Sequence, residues 1–589
     1  MQQIRGGASY MQILKYDIAV LGSGLAGMRA SLQAAYYSKG NIRIALISKM
    51  HAMRSHSVSA EGGISGVLYP GENGDSIDLH GFDTAKGGDY LGDQQAIEIL
   101  VNEAPNEIRF FDHLGVPWNR SEDGRIMLRA FGGMSVPRTA FAADKTGFFM
   151  LNALYDNILS FPNIDIFHEH YATHLVIKEN RFRGFIAIDL SNGERKAFVA
   201  KAGIIATGGA SRVFGFTTTA YSSTGDGIAM AYKAGVPLKD MEFTQFHPTG
   251  LIPSGVLITE AARGEGGYLL NNQGRRFMED YAKSKMELAP RDIVSRAIIT
   301  EINQGRGFID DTSGLKYVLL DLRHLGEAKI DERLPMIKEL VTKTLGFSPA
   351  KEPIPVRPAA HHTMGGINVN LYGQVMLDEN TAVEGLWAAG ECGCVSVHGA
   401  NRLGSNSLSQ CVIWGRMEGE AAAKFAMENA LMHVDDIKDI LDSAERDIDG
   451  LLSNSGTENP YQLRKELWDT MDEYVYVFRT SAGLETARKK LQELRSRYRK
   501  IYVSDKGSVY NANLREAIEI GNMIEIAQAI VEGAINRKES RGAHFMIEFP
   551  ARDDRNFLKH TLAYRTESLP KISYLSVSIT RWQPMERKY

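Results

Sequence analysis

The residues of this 589-residue chain that could do chemistry gather in its middle, where Arg and His recur among small residues. Five segments share this character: FHPTG (246–250), Thr259–Glu260 with Arg263, Arg291–Asp292, HHTMGG (361–366) and HGANR (398–402). A guanidinium pairs with a carboxylate through two parallel hydrogen bonds, and an imidazole donates one while adjusting its charge. The pattern therefore predicts a binding site for a small dianionic substrate.

Other kinds of site have weaker support. A histidine beside proline is commonly structural, and His361 with His362 can form a satisfied pair in a turn. A metal site would need an HExxH motif, a carboxylate cluster or paired CxxC motifs, and Cys392 with Cys394 is too small a set to bind metal alone. A serine hydrolase would need a GxSxG elbow in a strand–turn–helix setting. We therefore predict no metal and no hydrolase site.

A nucleotide-binding unit stands near the start of the chain. The run 16–21 is typical of a buried strand, GSGLAG (22–27) of a phosphate-binding turn, the stretch to about Gly40 of a helix, and 42–48 of a second strand. Such a unit presents the free N–H groups of a helix N-terminus to a pyrophosphate. The acidic residue expected after the second strand is replaced by Ser48 and Lys49, which weighs against plain NAD binding.

Further Gly-rich loops lie far downstream, as ATGGA (206–210), TGDG (224–227) and AAGE (388–391). They follow strand-like runs at 202–206 and 386–389. Together they predict one nucleotide domain interrupted by an insertion between about 247 and 360. The insertion would cap that domain, with a ligand between the two.

Composition excludes several classes of protein. The 71 acidic and 67 basic residues nearly cancel, so no overall field would attract nucleic acid or an anionic membrane. No apolar run approaches the roughly 18–20 residues of a membrane span, and the start, with a short leader ahead of Met11, lacks the features of an export signal. We expect the chain to stay in the cytoplasm unless partners anchor it. Three cysteines are too few for a four-thiolate iron–sulfur cluster, so any such centre would belong to another chain.

From about residue 432 the sequence becomes helical and charged. Leu484, Ala487, Leu491, Leu494 and Tyr498 recur at helical spacing beside a basic run (488–490, 495, 497, 499 and 500). We expect helices packed on the main body, with the basic face a solvated surface in preference to a docking face for a partner subunit.

The segment RSHSVSAEGG (54–63) resembles the flavin-attachment loop of succinate dehydrogenase and fumarate reductase flavoproteins. In that family the histidine at this place is bonded to the 8α carbon of the isoalloxazine, which implies covalent FAD at His56; His51 is not in the matching place. The similarity continues in the family's order from about 15 to 560, through the segments 80–94, 131–147, 245–250, 258–279, 361–367, 390–408 and 539–545.

The resemblance also implies the remaining site residues. The FAD contacts would be Gly22, Ser23, Gly24, Leu25, Ala26, Gly27, Ser48, Lys49, Arg54, Ser55, Ser57, Ala60, Glu61, Gly62, Gly63, Asp226, Glu391, Ser407 and Leu408. The dicarboxylate would be held by His247, Thr259, His361 and Arg402, with Phe131 and Gly132 in the adjoining loop.

Arg291 matches the family's proton-transfer residue, with Glu260 and Arg263 as its relay to solvent. The implied reaction oxidises succinate to fumarate, or the reverse, by hydride transfer to FAD. Because a guanidinium holds its proton tightly, its deprotonation would be brief and coupled to hydride departure inside a closed site. Two positions depart from the family: Glu61 stands where many succinate dehydrogenases have Gln, which leaves the working direction open, and Pro290 stands where the family often has Gly.

The implied fold is α/β. A Rossmann-like FAD-binding domain (1–246 and 361–431) would be interrupted by an α+β capping domain (247–360) and followed by a helical domain (432–540) and a small C-terminal domain (541–589). The implied partners are an iron–sulfur subunit and one or two membrane-anchor subunits, which would pass electrons to quinone and hold the chain at the cytoplasmic face of the membrane.

Rival interpretations share this fold. L-Aspartate oxidase has the same FAD core and Arg/His site but no histidine at the attachment position, so His56 weighs against it. A soluble fumarate reductase without membrane partners is a second alternative. An inactive flavin-binding scaffold is a third, disfavoured by the intact set of His247, Arg291, His361 and Arg402.

Overall fold

The structure is a computed structural model and describes residues 3–6 and 9–588. The strands are β1 (Gln3–Gly6), β2 (Ser9–Leu21), β3 (Ile44–Ile47), β4 (Ile64–Ser65), β5 (Leu128–Arg129), β6 (Thr139–Ala140), β7 (Ile164–Phe167), β8 (His170–Lys178), β9 (Arg181–Asp189), β10 (Arg195–Ile205), β11 (Leu238–Lys239), β12 (Thr244–Leu251), β13 (Tyr268–Leu270), β14 (Phe308–Ile309), β15 (Lys316–Asp321), β16 (Ile354–Thr363), β17 (Gly366–Asn368), β18 (Gln374–Met376), β19 (Ala382–Ala388), β20 (Gly393–Cys394), β21 (Lys559–Tyr564) and β22 (Lys571–Ser576).

The helices are α1 (Leu25–Ser38), α2 (Ile77–Gly87), α3 (Gln94–His113), α4 (Thr146–Ile158), α5 (Asp226–Lys233), α6 (Ala261–Gly264), α7 (Met278–Tyr281), α8 (Arg291–Asn303), α9 (Glu327–Arg333), α10 (Pro335–Leu345), α11 (Asn406–Glu428), α12 (Lys438–Ser453), α13 (Pro460–Tyr474), α14 (Ser481–Tyr498), α15 (Ala512–Asn536) and α16 (Asp554–Phe557). Within the described ranges, none is long and apolar enough to cross a membrane.

The main sheet contains the predicted nucleotide-binding unit. Its parallel part runs in the order β19, β10, β2, β3, β7, and the antiparallel strands β8 and β9 extend it beside β10. Strand β3 and the carboxyl halves of β2, β10 and β19 are buried, as expected for a sheet covered on both faces, whereas the edge strand β7 is mostly half-buried. Helix α1 joins β2 to β3 and packs against α11. The α/β class and the predicted strand–turn–helix–strand unit are therefore confirmed.

The main sheet joins segments that are far apart in the chain. Strand β10 ends before the inserted region and β19 follows it, yet the two pair in parallel with Gly203 opposite Leu386. Both Gly-rich loops that follow these strands thus reach the same edge of the sheet. In open parallel sheets this carboxyl edge is where ligands bind.

A second, antiparallel sheet covers that edge. It has the order β12, β16, β15, β13, with β14 beside β15, and helix α8 packs against β12 and β16. Strands β12 and β16 are neighbours and carry the chain into and out of the inserted region. They run from Thr244 and to Thr363, slightly beyond the limits 247–360 predicted for the capping domain.

The C-terminal third contains three long helices that pack on one another, α13, α14 and α15. On α14 the side chains of Leu484, Ala487, Leu491 and Leu494 are buried, as their spacing predicted. The basic residues of this helix find carboxylates within the chain: Arg497, for example, pairs with glutamates of α13 and of its own helix. Much of the predicted basic face is thus neutralised internally.

The last strands do not form a sheet of their own. Strand β21 pairs with β11, and β22 pairs with β21, so the C-terminal hairpin extends a five-stranded sheet that contains β17 and β20 of the FAD-binding segments. The division into four domains at 246, 360, 431 and 540 stays a prediction.

Candidate active site

One large cavity lies between the carboxyl edge of the main sheet and the covering sheet. Its lining contains all the residues predicted for cofactor and substrate except three. Gly27, Gly132 and Arg263 lie behind the wall. The structure thus brings segments from residue 21 to residue 411 to one place.

The phosphate-binding turn needs two of its glycines for close backbone approach. Gly22 has φ of +112°, and a Cβ there would lie 2.1 Å from the carbonyl oxygen of Ala206. A Cβ on Gly27 would lie 1.9 Å from the carbonyl oxygen of Gly22. Helix α1 starts with Gly24 as its N-cap, which has no side chain to cap the helix. The N–H of Leu25 donates to Ser57 Oγ at 3.1 Å, and the N–H groups that follow it in the first turn are the ones a helix N-terminus offers to an anion.

Lys49 takes the place of the usual acidic residue and is held by three acceptors. Its Nζ donates to Thr224 Oγ1 at 3.0 Å, to Asp226 Oδ2 at 2.6 Å and to Glu519 Oε1 at 3.0 Å. Burial acts to lower the pKa of Lys49, and the two carboxylates raise it above its ordinary value. Lys49 therefore stays charged, and Asp226 is fixed beside the nucleotide loop.

His56 starts a short 3₁₀ helix, and its Nδ1 accepts a hydrogen bond from the backbone N–H of Ala220 at 3.2 Å. Burial lowers the pKa of His56, and the nearby Arg212 lowers it further, although Glu391 opposes the shift. A neutral imidazole that accepts at Nδ1 carries its hydrogen on Nε2. His51 is exposed and stacks on His168, with ring centroids 4.3 Å apart.

The lining fits FAD. Among the described residues, several buried polar atoms of the wall have no partner in the chain: Ser55 Oγ, Glu61 Oε2, Thr207 Oγ1, Arg402 Nε and Ser405 Oγ. Buried polar atoms in proteins are almost always hydrogen-bonded, so this set indicates a polar ligand with both donors and acceptors. Such a ligand has to be long, because these residues are spread from the phosphate-binding turn to the Arg/His end.

The Arg/His end of the cavity joins the predicted substrate residues. The rings of His247 and His361 lie with centroids 4.9 Å apart. Nε2 of His361 lies 2.9 Å from Nη2 of Arg402, and its Nδ1 lies 2.7 Å from Thr218 Oγ1. Because arginine only donates, His361 accepts at Nε2 and donates from Nδ1 to the hydroxyl.

A β-bulge explains how this end is built. The register between β12 and β16 passes from Gln245 opposite His362 to Phe246 opposite Ala360, which leaves His361 as an extra residue in β16. Consecutive strand residues normally point to opposite faces, and a bulge re-aims one of them. As a result His361 and His362 both line the cavity.

Arg291, the predicted proton-transfer residue, lies in the wall at the start of α8. Its Nε donates to Glu260 Oε2 at 2.7 Å, and the other oxygen of Glu260 accepts from the N–H of Gly132 at 2.6 Å. Arg263 lies behind Glu260, with Nη2 3.8 Å from Oε2. Pro290 is the N-cap of α8, and the residue before it is extended as expected before proline.

The charges at this end favour an anion. Three arginines, Arg291, Arg402 and Arg263, lie near two carboxylates, Glu260 and, beside Arg402, Glu391. Burial acts to raise the pKa of Glu260, but Arg291 and Arg263 hold it below its ordinary value, so the carboxylate is ionised. Burial and the neighbouring Arg291 lower the pKa of Arg402 to about 9. A negatively charged ligand would relieve the remaining excess of positive charge.

The two histidines are neutral here. Burial, followed by Arg291, lowers the pKa of His247 and of His361 well below the ordinary value. Each can therefore donate one hydrogen bond and accept another without adding to the charge.

Several residues of the site carry no recognisable motif on their own. Thr218 and Thr219 line the cavity between the predicted segments, and Glu519 reaches Lys49 from α15, 470 residues away in sequence. Gln245 stands within a predicted segment but was assigned no role. In the described part of the chain, no group of three or more His, Cys, Asp or Glu side chains is arranged to hold a metal ion.

Comparison with known proteins gives the family. An FAD binding domain model matches residues 17–408, and a fumarate reductase flavoprotein C-terminal model matches residues 464–589. The fumarate reductase flavoprotein subunit of Serratia sp. is 43% identical over 98% of this chain and 97% of its own length. The succinate dehydrogenase flavoprotein subunit of Rickettsia bellii is 42% identical over 93% of both.

The chain belongs to the fumarate reductase and succinate dehydrogenase flavoprotein family. A structure of a variant of the Escherichia coli quinol fumarate reductase superposes with a TM-score of 0.94, at 42% identity, and covers 98% of this chain and 99% of that one. The protein is thus an FAD-dependent oxidoreductase. Nearly all the residues that line the cavity lie in the first matched region, 17–408.

Proposed function

We propose that this flavoprotein interconverts succinate and fumarate with FAD bound covalently through His56, and that electrons pass between the flavin and an iron–sulfur partner subunit. The observation that carries the proposal is the Arg/His end of the cavity, where Arg291, Arg402, His247 and His361 surround a space walled by Phe131. Two carboxylates can be bound there by cations and neutral imidazoles at once.

Arg402 and His361 would bind one carboxylate of the substrate, and His247 with Thr259 the other. The Arg402–His361 bond, at 2.9 Å, holds the guanidinium in place before the substrate arrives. Preorganised cations of this kind stabilise charge as it develops and need no reorganisation during the reaction. His247, Thr259 and Arg402 are at most 5% exposed, so a substrate bound between the two sheets would be shielded from solvent.

Arg291 would transfer the proton. It gives a proton to fumarate in the reductive direction and takes one from succinate in the oxidative direction. Glu260, bonded to it at 2.7 Å, and Arg263 behind it would return Arg291 to its starting protonation state. FAD, when bound, supplies the acceptor or donor of the hydride.

FAD would be held by the turn 22–27 and α1 at its pyrophosphate, by Lys49 and Asp226, and by the loop 54–63. Nε2 of His56 would form the bond to the 8α carbon, since Nδ1 accepts from the backbone. Glu391, Ser407 and Leu408 complete the wall.

The remaining parts of the proposal concern partners and place. We infer an iron–sulfur subunit, one or two membrane-anchor subunits and quinone as the final partner of the electrons, with the flavoprotein at the cytoplasmic face of the membrane. The support is likeness to the flavoprotein of a quinol fumarate reductase over 98% of the chain. Co-purification of an iron–sulfur protein with the tagged chain would test this part.

Covalent attachment is tested by denaturing the purified protein in acid and measuring flavin absorbance on the protein fraction, followed by peptide mass spectrometry. We expect flavin on the peptide that contains His56. His56→Ser would release all flavin, and the matched control His51→Ser would release none. Flavin lost from the wild type would refute the covalent bond and favour the alternative of L-aspartate oxidase.

Catalysis is tested on the same protein by succinate oxidation with a dye and by fumarate reduction with a reduced viologen. We expect both activities, and their ratio measures the direction left open by Glu61. Burial and Asp144 raise the pKa of Glu61 well above its ordinary value, and the variant Glu61→Gln tests whether this residue sets the ratio of the two activities. A wild-type protein loaded with FAD and inactive with both substrates would contradict the proposal.

A further inference from the structure

Gln245 lies behind the Arg/His end of the cavity and contacts Arg291 directly. Its side chain is fully buried, and its Oε1 accepts from Nη1 of Arg291 at 3.0 Å. Its side chain is not among those that line the cavity. It stands two residues before His247 on β12, and alternate residues of a strand share a face.

The other end of the same amide is anchored to the segment that carries Arg402. Nε2 of Gln245 donates to Asn401 Oδ1 at 2.9 Å and to the carbonyl oxygen of Arg402 at 2.8 Å. The amide of Asn401 in turn donates to the carbonyl oxygen of Gly87 at 3.1 Å. The side chain of Gln245 therefore connects the guanidinium of Arg291 to the backbone of Arg402.

In this series of hydrogen bonds, from Gly87 through Asn401 and Gln245 to Arg291, the donor and acceptor of each bond follow from the groups at its two ends. The carbonyl of Gly87 can only accept, so the nitrogen of Asn401 faces it and its oxygen faces Gln245. That oxygen needs a donor, so Nε2 of Gln245 faces Asn401 and Oε1 faces Arg291. A guanidinium has only donors, so Arg291 must donate to Oε1 of Gln245, which is the orientation of the amide already required by the contact between Asn401 and Gly87.

Arg291 is thus held from two sides by different acceptors. Glu260 accepts at Nε with a full negative charge, and Gln245 accepts at Nη1 with a neutral carbonyl. The neutral acceptor orients the guanidinium plane without adding charge that would hold its proton more tightly. A second carboxylate at the same place would orient it equally well but oppose proton release.

We propose that Gln245 is a positioning residue that orients the guanidinium of Arg291 for proton transfer and couples it to the segment of Arg402, and that its neutrality is required for the rate. This inference rests on the proposed interconversion of succinate and fumarate. Gln245 acts through Arg291 and the backbone of Arg402, not on the substrate.

Two variants separate orientation from charge. Gln245→Met keeps the length of the side chain and removes both hydrogen-bonding groups, and Gln245→Glu keeps the shape and adds a charge. Because a misplacement of about 1 Å can cost about a hundredfold in rate, we expect kcat of Gln245→Met to fall by about ten- to a hundredfold. For Gln245→Glu we expect a similar fall together with a larger solvent deuterium isotope effect, since proton release becomes more limiting.

Substrate binding should respond less than the rate. The affinity for malonate, an unreactive dicarboxylate, is measured by titration of the flavin absorbance, and we expect it to stay within about threefold for both variants. Flavin content and melting temperature are measured on the same samples. Gln94→Glu is the matched control, because Gln94 is also fully buried and binds only backbone groups of residues 580–582.

The outcomes distinguish this inference from the proposed function. An active wild type with both Gln245 variants within about threefold of its kcat, or with malonate affinity falling as much as kcat, would overturn the positioning role alone. An inactive, FAD-loaded wild type would overturn the proposed function and the role together. If Gln245→Met does not fold, the isotope effect and kcat of Gln245→Glu decide the matter.

Discussion

The C-terminal hairpin should be held to the FAD-binding part by a charged histidine whose contribution depends on pH. His560 on β21 is 1% exposed, its Nδ1 lies 2.6 Å from Asp240 Oδ2, and its Nε2 lies 3.3 Å from Asp93 Oδ1. Burial acts to lower the pKa of His560, but the two carboxylates raise it to about 9. The burial of this group lets its ion pairs act with little screening by solvent.

The stability that charged His560 contributes follows from the rise in its pKa on folding. The pKa of His560 rises from 6.5 in the unfolded chain to about 9 in the folded one, and each unit corresponds to about 1.4 kcal/mol, so the charged form contributes about 3 kcal/mol. Because the folded pKa is the higher of the two, this stability is fully present below pH 6.5 and is lost as pH rises through about 9. The variant His560→Gln should therefore be less stable at pH 6 and close to the wild type above pH 9.

Amide hydrogen exchange of the peptide 559–576 measures this locally, without unfolding the whole chain. At pH 6 we expect exchange in His560→Gln to be faster than in the wild type by about a hundredfold, and at pH 9.5 by less than about threefold. His113→Gln is the control, since His113 is exposed. A ratio of wild-type to variant exchange that is the same at both pH values would refute the assignment of a charged His560.

Three further predictions concern the site. Glu260→Gln should lower kcat by about a hundredfold or more, because Arg291 loses its buried counter-ion, as steady-state kinetics will show. Lys49→Met should leave Asp226 uncompensated, and FAD should dissociate faster in a background without the covalent bond, measured by flavin fluorescence. Thr218→Val should raise KM for the dicarboxylate by about three- to tenfold, because Nδ1 of His361 loses its hydrogen-bond acceptor. Thr218→Ser keeps the hydroxyl and should leave KM unchanged.

Each of these has a contrary result. Glu260→Gln with wild-type kcat would remove it from proton transfer. Equal rates of FAD release with and without the Lys49 charge would mean that the lysine is structural alone. Equal KM values in the Val and Ser variants of Thr218 would show that the hydroxyl does not orient the histidine.

Local patterns in the sequence were sufficient for the nucleotide-binding unit. The glycines at 22 and 27 and the apolar runs on either side correspond to β2, α1 and β3, because one continuous stretch of chain forms the whole unit. Gly27 is crowded by Gly22 of the same turn, whereas Gly22 is crowded by Ala206, which lies far along the chain. The strand β2 starts earlier than predicted, at Ser9: residues 9–12 pair with β1, and residues 12–16 pair with β10, which follows far along the chain. Pairing over that distance leaves no local signal.

The site shows the same division. Resemblance placed His247, His361, Arg402 and Arg291, and the structure brings them to one end of the cavity. It could not predict that a β-bulge turns His361 toward the cavity, because a bulge depends on the register between two strands more than a hundred residues apart. The assignment of roles to these residues stays a prediction.

The two strands by which the chain enters and leaves the covering sheet, β12 and β16, are direct neighbours. The chain therefore enters and leaves the inserted region through one pair of neighbouring strands. The length of this region can change without altering the strand order of the main sheet, as in tolerated domain insertions. His247 and His361 belong to these two strands and not to the inserted region between them. Thr259, Glu260 and Arg291 do lie between these strands and line the cavity. A lineage could therefore replace the parts of the covering sheet that lie away from these three residues while inheriting the residues that recognise a dicarboxylate.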